Sequence, residues 1–485
     1  MTAILGGGIA GLSAAFYASE RRLAQPILLE ASNRLGGWIH SLELPNGTIF
    51  EMGPRMIRPQ GLQGKNTLNL IDRLDLRDKL WHVTSDHPAA KNRMIYVKEK
   101  LYVLPNSLSG LFKSMEPFGG PLIKIYWRDM MARKVASEDE SMYSFVERRF
   151  GKDIADNLIS PMLCGICAGD AKKISVKMLM ARMFEVEQKH GSVFNGFLLE
   201  GWRKIFSKKD KTVDVDMMKK ANLYDVDSES AVAAQTEKWA MWGLKGGFEQ
   251  LPNKLTEKSR AQGAEIRLNE RCENITFCND HIELKFDDGT HTCSQLISSL
   301  SAKSLAPLLE RQHPQLAREL SAIPYVTVAI VNLEFPGNCL PMDGFGFLVP
   351  PKEKNPILGV IFDSCVHINE NFTVLTVMMG GAWFQEHFGT SPTEEHLLQV
   401  ALDQVAKILG IKEAPTSKNV AILKDCIAQY VVGHKKRLER IQNYISAHGL
   451  PLALCGSSYQ GIGVNDVILS AKQAVCDIEE RTKSR

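Results

Sequence analysis

Thr2-Ala3-Ile4-Leu5-Gly6-Gly7-Gly8-Ile9-Ala10-Gly11-Leu12 decides the fold, through its succession of apolar run, glycines and apolar helix formers. Ala3 to Leu5 is expected as a short buried strand, Ile9 to Glu20 as a helix and Pro26 to Glu30 as the next strand. Together they make a βαβ unit and a parallel α/β opening. Gly6, Gly8 and Gly11 fit GxGxxG at the junction of strand and helix. Gly6 permits the tight turn, Gly8 lets backbone approach a pyrophosphate, and Gly11 packs helix on strand. The amides at Ile9 and Ala10 then face the phosphates. Glu30 follows Gly11 by 19 residues, where a carboxylate can accept both hydroxyls of an adenosine ribose.

Just past that carboxylate comes Glu30-Ala31-Ser32-Asn33-Arg34-Leu35-Gly36-Gly37-Trp38. An arginine and two glycines there suit closure over a second stretch of pyrophosphate, which favours an extended FAD over NAD.

The 485 residues, 44% apolar and 23% charged, exceed one compact core, so two or three domains are expected. Net charge is +3, from 58 basic and 55 acidic residues, too balanced for a nucleic-acid binder. Ten scattered cysteines do not form a disulfide framework and fit a reducing compartment or buried thiols. The sequons at Asn46, Asn274 and Asn371 therefore carry little weight. The glycine motif begins so early that no cleavable presequence is expected. No apolar stretch reaches the roughly 20 residues that span a bilayer, so membrane contact would be monotopic.

Along the chain, residues 66–80 carry apolar residues at helical spacing, and Arg93 to Leu104 is expected as a hairpin turning at Lys98-Glu99-Lys100. Residues 105–206 have a helical pattern with apolar and basic residues mixed, including 108–115, 121–134, 174–189 and 193–206. Residues 207–237, rich in Lys, Asp and Ser, are expected as a mobile loop or insertion. A loop at 244–252 enters a helix, and strands and hairpins follow to about residue 302. A second, mostly antiparallel sheet is expected from Val326 to Met379. Then come a helix near Glu394 to Leu409, a strand near Cys426, a helix near Lys435 to His448, a strand at 451–456 and a last helix from Val467.

ExxxRxGG at 30–37, followed by Glu51-Met52-Gly53-Pro54, resembles the amine oxidase and protoporphyrinogen oxidase superfamily of flavoproteins. Further stretches at 50–59, 86–93, 244–252, 344–350, 426–434 and 456–466, in order over nearly the whole chain, resemble the animal protoporphyrinogen oxidases. The resemblance implies a GR2-type FAD-binding Rossmann-like domain with a mixed-sheet substrate domain and a helical membrane-binding domain. The implied boundaries are 1–92, 241–298 and 426–485 for the FAD domain, the first segment partly substrate domain. The others are 93–206 for the helical domain, 207–240 for the insertion and 299–425 for the substrate domain.

The family's C-terminal flavin motif corresponds to Gly456–Asp466, a strand, a glycine turn and a helix start able to give amides to the flavin ring and pyrophosphate. The resemblance assigns to one non-covalent FAD per chain the residues Gly6, Gly8, Ile9, Ala10, Gly11, Glu30, Ala31, Arg34, Gly37 and Trp38. It adds Gly53, Pro54, Arg55, Cys272, Ser457, Val464, Asn465 and Asp466, with the Cys272 backbone holding adenine. It implies six-electron oxidation of protoporphyrinogen IX to protoporphyrin IX by molecular oxygen, with hydride transfer to flavin N5 and no catalytic side chain assigned. A macrocycle with two propionates wants an apolar slot and one or two cations. The family lines the slot with positions matching Phe345, Leu348, Met378, Met162 and Gly165, and meets a propionate with Arg93. It further implies a homodimer on the mitochondrial inner membrane, on the intermembrane-space side.

One departure is Leu163-Cys164-Gly165-Ile166-Cys167, where the family usually has bulky residues in place of the cysteines. Formally CxxC, it admits a thioredoxin-like dithiol or half a zinc site. The helical setting and the lack of a second CxxC favour simple packing and no metal. From residues alone, a flavin amine oxidase and a non-catalytic flavin-binding protein remain alternatives, as does a helical cap in place of a membrane-seated domain.

Overall fold

The computed structural model describes residues 1–106, 109–206, 228–366 and 371–483, which divide into two compact units. The first consists of Met1–Thr84, Asp214–Ile323 and Lys436–Arg485, and the second of Ser85–Val213 and Pro324–Lys435. Residues 299–323 and 426–435 fall on the other side of this division from the boundaries drawn on the sequence.

The first unit centres on a five-stranded parallel sheet, ordered Glu265–Arg267, Pro26–Leu29, Thr2–Leu5, Gln295–Ser298, Leu452–Leu454. Three separated segments of chain supply these strands. Thr2–Leu5 is buried along its length, as a central parallel strand must be. Helix Ile9–Glu20 is buried nearly all round, with Ala14, Ala15 and Ala18 fully enclosed. Small residues let it pack closely on the sheet and against helices Gln250–Ala261 and Val464–Lys483. The last helix begins at Val464, three residues before the expected Val467, which places the end of the glycine turn on its first turn.

The second unit holds a seven-stranded sheet, ordered Ser417–Ala428, Tyr325–Pro336, Phe372–Gly381, Ile357–Phe362, Gly346–Leu348, Arg93–Val97, Lys100–Val103. Only the Gly346–Leu348 and Arg93–Val97 pair is parallel. The hairpin from Arg93 turns at Lys98 and Glu99, both with positive φ. One face buries Met94, Val331, Phe347, Val360 and Val377 with helix Glu394–Leu409. On the other, Ile330, Val328, Leu358 and Met378 meet Cys164 and Ala168 of the segment around helix Ser160–Cys167.

Two expectations need correction. Residues 207–227 of the expected mobile loop or insertion lie outside the described residues, but 228–237 are described and are largely helix rather than loop. Glu229–Thr236 is a helix, started by Ser228 accepting from the Ala231 amide and tied down by Asp72, which accepts from the Ser230 amide at 3.0 Å. A capping serine outweighs polar composition here. The spacing at 108–115 predicts a helix. Leu108 lies outside the described residues, and beyond it a 3-10 turn at Ser109–Phe112 and a two-residue strand at Ser114–Met115 take the helix's place. Gly110, Pro117, Gly119 and Gly120 break any longer helix.

Candidate functional site

In the first unit, Gly8 precedes helix Ile9–Glu20 as its N-cap, and no side chain caps the helix. The first amides of a helix lack intrahelical acceptors, so this end is open to an anion. Gly6 has φ +100°, and a Cβ on Gly11 would lie 1.8 Å from the Gly6 carbonyl oxygen, so both must be glycine for the protein's own sake. Gly8 differs. Its φ is −73°, and the nearest atom to a Cβ there is Gly37 Cα at 3.8 Å.

Gly37 belongs to the loop after Glu30, which lies against the glycine motif: the Gly36 amide donates to the Gly7 carbonyl at 2.9 Å. The Glu30 carboxylate accepts from the Gly7 amide at 2.6 Å and from the Ser32 amide at 2.9 Å and hydroxyl at 2.7 Å. It follows the second strand, Pro26–Leu29, directly. Ala31 continues this turn. Arg34 donates to the Leu35 carbonyl at 3.0 Å and to the Gly37 carbonyl, closing the loop on itself. Beside Gly37, Trp38 leaves 46% of its surface exposed. A Cβ on Gly53 would meet the Trp38 carbonyl at 1.8 Å, which packs the Gly53-Pro54-Arg55 segment on this loop. Arg55 is buried and donates to the Glu51 carbonyl at 3.3 Å.

The C-terminal motif arrives from strand Leu452–Leu454. Ser457 lies in the turn, and Val464, Asn465 and Asp466 form the first turn of the last helix. Asn465 Nδ2 donates to the Arg58 carbonyl at 2.9 Å, and its buried Oδ1 has no hydrogen-bond partner among the described residues. A buried acceptor without a donor needs one. Burial raises the Asp466 carboxyl above its ordinary value, against a lowering hydrogen bond from the Gly463 backbone. Cys272 sits between strands Glu265–Arg267 and Asn274–Phe277, half-buried, its thiol pushed up to about 11 by burial. An uncapped helix end, a glycine with open space and an orphan buried acceptor fit a dinucleotide with a flavin ring.

Sequence reasoning missed the residues that brace this cradle. Ser299 Oγ donates to the Leu5 and Gly6 carbonyls at 2.8 and 3.0 Å. Glu51 accepts from the Phe248 amide at 2.6 Å and from Ser41 Oγ at 2.7 Å, and Glu249 accepts from the Ser41 amide at 2.9 Å. Glu51 and Glu249 both stand in motifs quoted above, so their position in those motifs was the available signal.

In the second unit, Leu348, Gly359 and Met378 are cross-strand partners in one row, continued by Ile95 on one side and Ile330 on the other. Directly opposed residues share a face. Arg93 is exposed and two residues before Ile95 on its strand, so alternation puts it on that same face. A Cβ on Gly165 would lie 3.0 Å from Leu348 Cδ2, which places helix Ser160–Cys167 over the row. Met162 is half-buried on that helix. Phe345 lies one residue outside strand Gly346–Leu348, its amide donating to the Asn92 carbonyl at 3.0 Å. The structure brings Gly165, Leu348 and Met378 together, with Arg93 on their face.

Cys164 and Cys167 are buried. Burial raises both thiols, that of Cys167 to about 11, so neither is a reactive thiolate near neutral pH. Cys167 donates to the Leu163 carbonyl, and Gln429 donates to the Cys167 carbonyl at 2.9 Å. They pack.

Helix Lys124–Met131 buries Asp129 and turns Trp127, Met130 and Met131 outward, at 59%, 41% and 78% exposure. Asp129 accepts from Ser192 Oγ at 2.7 Å and from the Phe194 amide at 2.9 Å, and it pairs with the fully buried Arg149 at 3.4 Å. Glu187 completes this ionic centre against Arg149 and Arg148. No helix among the described residues is long and apolar enough to cross a membrane.

Residues 9–479 match the flavin-containing amine oxidoreductase family. The chain is 37% identical over 483 residues to protoporphyrinogen oxidase of Homo sapiens, covering 98% of this chain and 97% of the human one. To that of Schizosaccharomyces pombe it is 32% identical over 486 residues, covering 96% of each. The solved structure of an oxidase from Exiguobacterium sp. 255-15 superposes with a TM-score of 0.77 at 24% identity, covering 99% of this chain and 98% of that one. The chain is an FAD-dependent oxidoreductase that belongs to the flavin-containing amine oxidoreductase family and, within it, to the protoporphyrinogen oxidases.

Proposed function

We propose that this chain oxidises protoporphyrinogen IX to protoporphyrin IX in haem biosynthesis, passing six electrons in three two-electron steps to three molecules of oxygen and yielding three of hydrogen peroxide. The observation that carries the proposal is 37% identity sustained over 98% of the chain to human protoporphyrinogen oxidase.

One non-covalent FAD is assigned to the first unit. The amides at Ile9 and Ala10 and the open face of Gly8 take its pyrophosphate, with Gly6 and Gly11 shaping the turn. Glu30 takes the ribose hydroxyls, turning its carboxylate from Ser32. The Cys272 backbone takes adenine, and the 457–466 segment gives amides to the ring end, where Asn465 Oδ1 accepts. Ala31, Arg34, Gly37, Trp38, Gly53, Pro54 and Arg55 close over it. When bound, the flavin supplies a two-electron acceptor.

The protein's own part is position, exclusion of water and charge. Met162, Gly165, Leu348 and Met378 form an apolar wall for the macrocycle, with Phe345 at its edge. Arg93 meets a propionate through charge-assisted hydrogen bonds. No side chain is assigned as a general base.

Association with a membrane surface belongs to the same proposal. A helix that buries an aspartate and exposes tryptophan and methionines suits the headgroup boundary rather than bulk water. Location at the mitochondrial inner membrane facing the intermembrane space, and a homodimer, complete it by family resemblance.

Anaerobic addition of protoporphyrinogen IX to the purified flavoprotein tests the reaction. Flavin bleaching is expected, with at most one fluorescent porphyrin formed per three flavins reduced, and full conversion to fluorescent porphyrin once oxygen is admitted. Bleaching by a primary amine, without any response to porphyrinogen, would instead make the chain an amine oxidase.

A further inference from the structure

Strands Asn274–Phe277 and Ile282–Phe286 form a hairpin with Phe277 opposite Ile282 and Thr276 opposite Glu283. Ile275, Phe277, Ile282 and Leu284 point inward and are buried. Alternation therefore puts Cys278, His281 and Glu283 together on the open face at the tip. The turn is closed by the Cys278 amide, which donates to the His281 carbonyl at 2.9 Å.

We infer that this tip is a site for a borderline divalent cation such as Zn2+, bound by Cys278 Sγ, His281 Nε2 and a Glu283 carboxylate oxygen. Their ligand atoms all lie within 4.8 Å of one another. The imidazole is already oriented as a ligand: Asp280 holds Nδ1 at 2.6 Å, leaving Nε2 to face Glu283 Oε1 at 3.4 Å. A carboxylate behind a metal-binding histidine fixes its tautomer in this way.

The 3.4 Å separation is long for a charge-assisted hydrogen bond, which runs to about 2.9 Å. It matches the edge of a tetrahedron with metal–ligand bonds of about 2.0–2.1 Å, which is about 3.3–3.4 Å. Thiolate, imidazole and carboxylate together select a Zn2+-class ion over the all-oxygen sites of Ca2+ or Mg2+. Three protein ligands leave a fourth position for water, and the bound ion staples the two strands at their turn. Among the described residues, the other gathering of such groups, Glu270, Asp288 and His291, has the Arg267 guanidinium 3.4 Å from His291 Nε2, which opposes a cation.

Equilibrium dialysis of the flavin-loaded protein against about 10 micromolar free Zn2+ tests this, since a Kd near 1 micromolar would fill about nine-tenths of sites there. One Zn2+ per chain is expected. Cys278→Ser and His281→Gln should each weaken binding at least about 10-fold, and Asp280→Asn by about 10- to 100-fold, as for outer-shell carboxylates. Zn2+ should also protect Cys278 from maleimide, read by peptide mass spectrometry, while bound flavin is unchanged in every variant. No binding by the unaltered protein, or binding that survives both ligand substitutions, would overturn the assignment.

Discussion

Gly8 and Gly37 meet backbone to backbone, and the contact is unequal. A Cβ on Gly37 would lie 3.0 Å from Gly8 Cα at a φ of +59°, whereas one on Gly8 would lie 3.8 Å from Gly37 Cα at an unstrained φ of −73°. The protein itself requires glycine at 37 but not at 8. The open side of Gly8 is where the proposal places the pyrophosphate.

Gly8→Ala should therefore fold with apo stability within about 1 kcal/mol of the parent and lose most bound flavin, with Gly8→Val losing it all. Gly11→Ala should instead destabilise the apoprotein by at least about 1–3 kcal/mol through overpacking on the Gly6 carbonyl. Thermal melts of apoprotein and the visible flavin absorbance separate the two. A Gly8→Val protein that keeps its colour would move the pyrophosphate elsewhere.

The strand, glycine turn and helix at 2–20 were legible because local periodicity and a motif of fixed spacing carry them. The braces of the site were not. Glu249 reaches Ser41 across 208 residues, and neither side chain belongs to a periodic pattern. Leu348 and Met378 entered through family resemblance, since an apolar residue on a strand gives no sign of which sheet face it will occupy. Short apolar pieces such as 108–115 fit a helix by spacing yet are too brief for spacing to overrule glycine and proline.

Gly165 and Leu348 should prove energetically coupled. A methyl on Gly165 meets the Leu348 side chain at 3.0–3.3 Å, so Gly165→Ala must displace Leu348 within the proposed macrocycle wall. kcat/KM should fall, and Leu348→Ala in the same chain should restore part of the loss, giving a coupling of about 0.5–3 kcal/mol. Additive losses in a double-mutant cycle would separate the two positions.

Stability should fall on acidification through His313. Burial, reinforced by His448, holds this imidazole below its ordinary 6.5. The unfolded chain takes up the proton first, so stability present above about pH 6.5 is lost as pH drops through and below that value. His313→Phe should remove up to one proton's share of the slope, about 1.4 kcal/mol per pH unit. Urea midpoints at about pH 7.5 and pH 5.5 decide it, and an unchanged difference would assign the slope to other groups.

Membrane association should track the outward residues of the helical region. Phe112, Trp127 and Met131 are 65%, 59% and 78% exposed, so changing all three to Ser removes apolar surface without opening the core. The variant should leave the membrane fraction while holding FAD, because the Arg149–Asp129–Glu187 centre that locks these helices is untouched. Sedimentation with vesicles measures it, and retention equal to the parent would place the contact elsewhere.

Arg93→Ala should weaken porphyrinogen use without loss of flavin. Arg93 begins the strand whose Ile95 stands opposite Leu348, on the sheet face that carries Met378. A charge-assisted hydrogen bond contributes about 1.5–3 kcal/mol. Through the exponential relation that is a loss of roughly 10- to 150-fold in kcat/KM. A propionate remote from the reacting carbon is held alike in ground and transition states, so most of the loss should appear in KM. Arg93→Lys should recover only part, because an ammonium cannot reproduce a planar two-pronged contact. Steady-state kinetics by porphyrin fluorescence give the answer: an unchanged KM in Arg93→Ala would take this residue out of substrate binding and leave the propionates to another cation.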